Sequence, residues 1–189
     1  MGSRLRHDTR DPRAARTRAL KILFQADVRG ESGEQVLRRI TEDDRGRAIL
    51  DDRDLSTDAE EEAARLRQQA EADAAADTTD APPSAPALDG FTRQLALGVS
   101  DHLDEIDGLI GRHARGWTVD RMPAVDRTVL RLATYELLYE TTSAAVVINE
   151  ALELAKSLST EASGRYVNGV LEAIRKDIAS TREQDRPGA

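Results

Sequence analysis

The sequence predicts an all-α protein of about seven helices, with a boundary between two helical halves near Gly116. The periodic segments are dominated by Ala, Leu, Glu and Arg, which are strong helix formers. Alternating runs of β-branched and aromatic residues, which are typical of strands, are scarce. Apolar residues recur instead every three or four positions, the spacing that gives a helix one buried face.

The first two helices are predicted close to the N-terminus. Asp11 can cap the first helix, Pro12 suits its first position because proline lacks the N–H that would be unpaired there, and Gly30 is placed to end it. A second helix is predicted over residues 33–43. The apolar positions of the two helices are Ala15, Ala19, Ile22, Leu23, Ala26, Val36, Leu37 and Ile40.

Residues 45–88 form an acidic, alanine-rich segment that ends in the breaker run 81–86. Residues 51–80 hold three arginines against eleven acidic residues, 3 − 11 = −8, which equals the net charge of the whole chain, −8. Thr57 and Glu60 fit a capping box for a short exposed helix that offers little besides Leu66 to bury. We interpret 45–88 as an insertion, either disordered or a loosely held helix, and an ordinary third core helix stays open as the alternative.

Core-like periodicity resumes at Leu88 and predicts five more helices. The first two are separated by a break at residues 100–101, and the third begins after Pro123. A short link over residues 115–118 divides the chain into an N-terminal half, 12–115, and a C-terminal half, 116–179. The polar tail 180–189 is predicted to be flexible.

The composition excludes several classes of chemistry. The chain has no cysteine, and its three histidines, His7, His102 and His113, lie in different segments without a metal-binding arrangement. Glycine motifs that bind phosphate or support a serine nucleophile are absent. We therefore expect no catalytic residue, metal or cofactor, and no enzymatic activity. Because the N-terminus is charged and no stretch approaches the roughly 20 apolar residues that span a bilayer, we expect a cytoplasmic protein without membrane contact.

The first helix is basic and carries an aromatic residue. Residues 1–30 hold eight Lys and Arg against three acidic residues, 8 − 3 = +5. On a helical wheel Arg13, Leu20 and Phe24 fall close together, and Lys21 lies just beyond. Cations that neutralise phosphates beside a ring that accepts an unstacked base suit single-stranded nucleic acid. The alternative, in which Phe24 is core and the arginines form a solvated face, remains open.

A second polar and aromatic cluster precedes the last apolar stripe. Ser163 is placed to cap a helix whose free N–H groups suit a phosphate, and Arg165 and Tyr166 offer charge and stacking. Gly169 costs a helix about 1 kcal/mol relative to alanine, which indicates close backbone packing there. A capped, tightly packed helix start without a ligand is the alternative.

Four segments, in this order, resemble the NusB family. Residues 13–24 follow R-x-x-R-x-x-A-L-x-x-L-F, and residues 126–137 resemble the family's long central helix, with Asp126-Arg127 and Tyr135-Glu136-Leu137. Residues 148–156, INEALELAK, and 165–171, RYVNGVL, resemble two further family motifs. The resemblance covers about residues 12–43 and 88–178.

The resemblance implies a single domain over residues 1–189, built from two small helical bundles packed together. It also implies a protein that is not an enzyme and binds boxA, a short single-stranded element of nascent ribosomal RNA. The family binds it with the small-subunit ribosomal protein NusE, in an RNA polymerase antitermination complex that prevents premature termination. It leaves a homodimer open. The implied RNA-binding residues are Arg13, Arg16, Arg18, Lys21, Phe24, His113, Ser163, Arg165, Tyr166 and Asn168.

Three departures from the family pattern bear on affinity. Asp11, Pro12 and Ala14 interrupt an arginine cluster that is usually denser, so RNA affinity is expected to depend more on the partner protein. Ala162 replaces an acidic residue often found before the motif serine. The acidic segment 45–88 is not part of the usual pattern, and we hypothesise that it shields the basic surface in a salt-sensitive way.

Two other functions were weighed against this one. A helical scaffold that binds only protein is the main alternative, and it would show an exposed apolar patch without an RNA footprint. An RNA-modifying enzyme is disfavoured, because the chain ends soon after the helical bundle and has no nucleotide-binding glycine motif.

Overall fold

The computed structural model describes residues 11–42, 64–66, 68, 88–158 and 161–184. All regular structure in these ranges is helical, which confirms the predicted fold class. The helices are α1 (Pro12–Arg29), α2 (Gly33–Glu42), α3 (Gly90–Asp101), α4 (Leu103–His113), α5 (Ala124–Tyr139), α6 (Ala144–Leu158) and α7 (Glu161–Gln184), with a 3-10 turn at Val119–Arg121. Residues 64–66 and 68 are also helical, and Leu66 is buried. The capping pair Thr57 and Glu60, and the run 81–86, lie outside the described residues.

The ends of α1 follow the predicted capping chemistry. Asp11 Oδ1 accepts hydrogen bonds from the backbone N–H groups of Arg13, at 2.9 Å, and Ala14, at 3.2 Å. Gly30 ends the helix with φ 67° and donates its N–H to the carbonyl of Ala26. Because this backbone region is strained for residues with a Cβ, glycine is the favoured residue at the end of α1.

The described residues up to 100 form one compact unit. Its helices α1, α2 and α3 contribute to a common apolar cluster, because each places its apolar stripe inward. The cluster comprises Ile22, Ala26, Val36, Leu37, Ile40 and Ala96, with Leu88 and Leu97 packed against it.

At the start of α2 the backbone lies against α3. The N–H of Gly33 donates to Ser100 Oγ at 3.0 Å, and that hydroxyl donates to the carbonyl oxygen of Ala96 at 2.9 Å. A Cβ on residue 33 would collide with Ser100 Oγ and lie 2.8 Å from the backbone oxygen of Ala96. Gly33 therefore permits the close approach of the two helices.

We expect Gly33→Ala to lower the free energy of unfolding by about 1–3 kcal/mol, the usual range for an overpacked contact. Urea denaturation followed by circular dichroism measures it. The double variant Gly33→Ala/Ser100→Ala keeps the collision with the Ala96 oxygen and should recover only part of the loss. Full stability of the single variant would contradict the close approach.

The described residues from 101 onward form a second unit. In it α5, α6 and α7 contact one another, and α4 packs against α5 and α7. Arg131 on α5 binds Asp107 on α4 through two hydrogen bonds of 2.7 and 2.6 Å. The predicted boundary at residues 115–116 was therefore placed too late, because α4 belongs with the C-terminal helices.

The last helix is longer than predicted. Residues 180–184, assigned to a flexible tail from the sequence, continue α7 to Gln184. Arg182 Nη2 donates to the carbonyls of Leu138, at 3.1 Å, and Leu137, at 3.4 Å. This guanidinium satisfies carbonyls at the C-terminal end of α5, where a helix has acceptors without intrahelical partners. Residues 185–189 lie outside the described ranges.

A search of the described residues for a membrane-crossing helix found none with the necessary length and apolar character.

Candidate nucleic-acid interface

The basic residues predicted on α1 divide into exposed and buried ones. Arg13 is exposed to solvent. Arg16, Lys21 and Phe24 are buried, at 4%, 6% and 1% of their full exposure. The Phe24 ring therefore presents no open face in this structure, and Arg13 is the member of the predicted set on α1 that is open to a ligand.

Arg16 and Arg18 are both engaged with α3 or the residues preceding it. The Arg16 guanidinium carbon lies 5.6 Å from the centroid of the Phe91 ring, a cation–π distance. Arg18 donates to Asp89 Oδ2 from Nε at 3.2 Å and from Nη2 at 2.7 Å. Both arginines therefore join elements of the first unit.

Asp89 is the centre of this connection. Its carboxylate accepts the Thr92 N–H at 2.8 Å and the Thr92 hydroxyl at 2.6 Å, in the manner of a helix N-cap. Burial alone would raise the pKa of Asp89, but the Thr92 hydrogen bonds and the charge of Arg18 outweigh it and hold the pKa below its usual value. The Thr92 hydroxyl is also within hydrogen-bonding distance, 3.2 Å, of the Ala15 carbonyl of α1. Arg18 thus completes a polar network between α1 and α3.

The second predicted cluster lies in the first turns of α7. This helix begins at Glu161, so the prediction that Ser163 caps it was wrong: Ser163 is a buried residue inside the first turn. Arg165 and Asn168 are exposed, three residues apart on one side of the helix. Together they present a cation and an amide to solvent.

Tyr166 lies between these residues and is partly exposed. Its hydroxyl is buried, and no hydrogen-bond partner for it lies among the described residues. Burial, with a smaller contribution from the charge of Asp126, raises the pKa of Tyr166. The exposed part of Tyr166 therefore excludes the hydroxyl, which favours contact through the ring over hydrogen bonding.

Gly169 is exposed, and a Cβ built on it meets no atom within 4 Å. The interpretation that this glycine marks close backbone packing was therefore wrong. We expect Gly169→Ala to raise the free energy of unfolding by about 0.5–1 kcal/mol, because alanine restricts the unfolded chain and favours helix. Thermal unfolding measures it, with Gly33→Ala as a glycine variant of opposite sign. A destabilised Gly169→Ala would indicate a close neighbour.

His113 ends α4 and faces α7. Its Nε2 lies 2.9 Å from Asp177 Oδ2, and Arg112 Nη2 lies 3.9 Å from the same oxygen. His113 therefore connects two helices of the second unit, and one of its ring nitrogens is occupied by Asp177.

The structure adds a group that the sequence reasoning treated only as a boundary. Between α4 and α5, Trp117 is half exposed, at 50%, and both Arg115 and Arg121 are exposed. The sequence signal was present, since a tryptophan between arginines is a stacking ring beside cations. Among the described residues no group of three or more His, Cys, Asp or Glu side chains could hold a metal ion.

The sequence is similar to known proteins over most of its length. The NusB family model matches residues 56–176, a range that includes the larger part of the acidic segment. A transcription antitermination protein NusB from Salinispora arenicola is 37% identical over 163 residues, 86% of this chain and 93% of that protein. One from Solibacter usitatus is 50% identical over 93 residues, 49% of this chain and 64% of that protein's length.

Solved structures agree with this similarity. A T. maritima NusB structure has a TM-score of 0.56 and 34% identity, covering 88% of this chain and 92% of the other. A structure of antitermination factors NusB and NusE in complex with double-stranded RNA has a TM-score of 0.54, covering 87% and 96%, and at 23% identity it supports the fold alone. The family match and the Salinispora relative together are decisive: the chain belongs to the NusB family.

Proposed function

We propose that this protein is an RNA-binding transcription antitermination factor. It binds boxA-type single-stranded RNA together with the ribosomal protein NusE, and it supports ribosomal RNA synthesis by preventing premature termination. The observation that carries the proposal is similarity across 93% of a protein named for transcription antitermination. The exposed chemistry of α1 and α7 agrees with it.

The contacts with RNA are assigned first to exposed residues. Arg13 on α1 and Arg165 on α7 are exposed cations that would neutralise phosphates, and Asn168 carries donors and acceptors for a base edge. The exposed part of Tyr166 lies between Arg165 and Asn168 in sequence and would stack on an unpaired base. These four residues form the primary proposed RNA-binding set.

The other six predicted residues would act mainly by holding these elements in place. Arg18 is paired with Asp89 and His113 with Asp177. Arg16, Lys21, Phe24 and Ser163 are each at most 9% exposed. Direct contact with RNA would require these groups to leave their present surroundings, so their substitution should affect stability as well as RNA binding.

The proposed protein partner is NusE, within an antitermination complex of RNA polymerase. A structural neighbour of the same fold was solved as NusB with NusE and double-stranded RNA. Since a single exposed arginine remains at the start of α1, we expect intrinsic RNA affinity to be modest and NusE to increase it.

Fluorescence anisotropy of a labelled boxA-type RNA tests the proposal, with and without NusE, across a salt series. We expect binding that NusE strengthens and a scrambled RNA loses. The logarithm of the affinity should fall linearly with the logarithm of the salt concentration, because each neutralised phosphate releases counterions. Arg165→Ala should weaken binding, and Arg38→Ala, which removes an exposed cation on α2, is the matched control.

The opposite result has a defined meaning. If neither the free protein nor its mixture with NusE binds the RNA at low salt, the proposal is wrong. Binding to NusE without any RNA binding would instead support the helical scaffold that contacts only protein.

A further inference from the structure

The segment between α4 and α5 presents an exposed ring on a fixed backbone. Trp117 is half exposed, at 50%. Gly116, directly before it, has φ 82°, and the N–H of Trp117 donates to the carbonyl of Ala114 at 3.4 Å. The chain therefore turns sharply at the end of α4 and leaves the indole at the surface.

Arg127 on α5 fixes the backbone that follows. Its Nη1 donates to the carbonyls of Val119 at 3.2 Å, Asp120 at 3.0 Å and Met122 at 3.0 Å. The guanidinium is fully charged at neutral pH and lies in a residue that is 9% exposed, so these hydrogen bonds are charge-assisted. A ring held on such a backbone loses little conformational entropy when a ligand stacks on it.

The charge around Trp117 suits a polyanion. Residues 112–121 carry Arg112, Arg115 and Arg121 against Asp120, 3 − 1 = +2 with His113 neutral. The three arginines are exposed, and the Arg112 side chain retains 64% of its exposure. Phosphates on either side of a base stacked on the indole would therefore meet cations.

Another exposed ring of the same unit offers a contrast. Tyr139, 42% exposed, stacks on His102 with ring centroids 4.2 Å apart. Its hydroxyl donates to Glu105, and this hydrogen bond raises the pKa of Tyr139 to about 12. A carboxylate directly beside the ring repels phosphate, so exposure of an aromatic ring alone does not define a nucleic-acid site.

We propose that Trp117 is a base-stacking platform for single-stranded RNA, with Arg115 and Arg121 contacting the flanking phosphates. This inference rests on the proposed RNA-binding function and adds residues outside α1 and α7. The platform recognises any unstacked base, because every base has a π face, and it contributes affinity more than sequence discrimination.

The sequence allows a direct measurement, because Trp117 is the one tryptophan of the 189 residues. Titration of the full chain with unlabelled boxA-type RNA should change its intrinsic fluorescence, since stacking on a base quenches the indole. The change should saturate at the RNA concentration at which anisotropy of labelled RNA reports complete binding.

Three variants separate stacking from other causes. Trp117→Ala should weaken RNA binding about tenfold, the middle of the range for one stacked base, and Trp117→Phe should recover part of it. Arg115→Gln/Arg121→Gln should reduce the slope of the salt dependence by about two, one for each lost phosphate contact. Tyr139→Ala, the matched exposed-ring control, should bind RNA as the unaltered protein does. Circular dichroism confirms that each variant is folded.

Failure of the two proposals can be told apart. RNA binding by anisotropy with unchanged tryptophan fluorescence and normal affinity of Trp117→Ala would overturn the platform and leave the proposed function intact. Absence of RNA binding in every assay would overturn both.

Discussion

We expect Phe24→Ala to lower the free energy of unfolding by about 3–5 kcal/mol, the usual cost of truncating a buried aromatic residue. Phe24 is 1% exposed and lies in α1 beside Leu20 and Leu23, which are also buried. Removing the ring deletes apolar surface and leaves a cavity that the surrounding helices fill only in part. Urea denaturation followed by circular dichroism measures the loss.

Phe24→Leu and Arg13→Ala complete this test. Leucine retains much of the apolar volume and should cost clearly less than alanine. Arg13→Ala removes an exposed side chain, so stability should change by no more than about 0.5 kcal/mol, while RNA affinity falls. If Phe24→Ala keeps full stability and still loses RNA affinity, the ring acts at an RNA surface and its burial in the free protein is not maintained.

The two alternatives for Phe24 could not be separated from the sequence because a helical wheel gives only directions around one helix. Whether a direction faces protein or solvent depends on elements distant in the chain. Arg18 illustrates this dependence, since its partner Asp89 lies 71 residues away. A wheel places Arg18 on a polar face, but the fold closes that face with a carboxylate.

Local signals were more reliable. Asp11 and Gly30 were assigned correctly as the ends of α1 because capping depends on residues within one helical turn. Ser163 failed for a related reason: α7 begins two residues earlier, at Glu161, so a good capping residue became an interior one. Gly169 was explained by packing, but open space surrounds it.

The position of α4 shows the same limit at the level of whole helices. The link near Gly116 is a real turn, with φ 82°. The break at residues 100–101 was also predicted, and the change of unit falls there. The ion pair between Asp107 and Arg131 joins α4 to α5, and its long-range partner is not visible in a linear pattern. The number of breaks could be predicted, but which of them divides the units could not.

Arg127→Met is the variant that joins stability to the proposed RNA platform. We expect it to lower the free energy of unfolding by about 3 kcal/mol, because methionine leaves three carbonyls without the charged donor that satisfies them. Arg127→Lys keeps the charge but has no guanidinium fork, so it should recover only part of the loss. Urea denaturation followed by circular dichroism measures both variants.

The same variant distinguishes a positioning role from a purely structural one. If Arg127 fixes the segment that carries Trp117, acrylamide should quench the indole more readily in folded Arg127→Met, and RNA affinity should fall although Arg127 is buried. Phe24→Leu provides a destabilised control, in which quenching of Trp117 should stay as in the unaltered protein. Unchanged quenching and RNA affinity in Arg127→Met, at reduced stability, would limit Arg127 to the fold. Increased quenching with normal affinity would mean that RNA binding does not depend on the platform being held rigid.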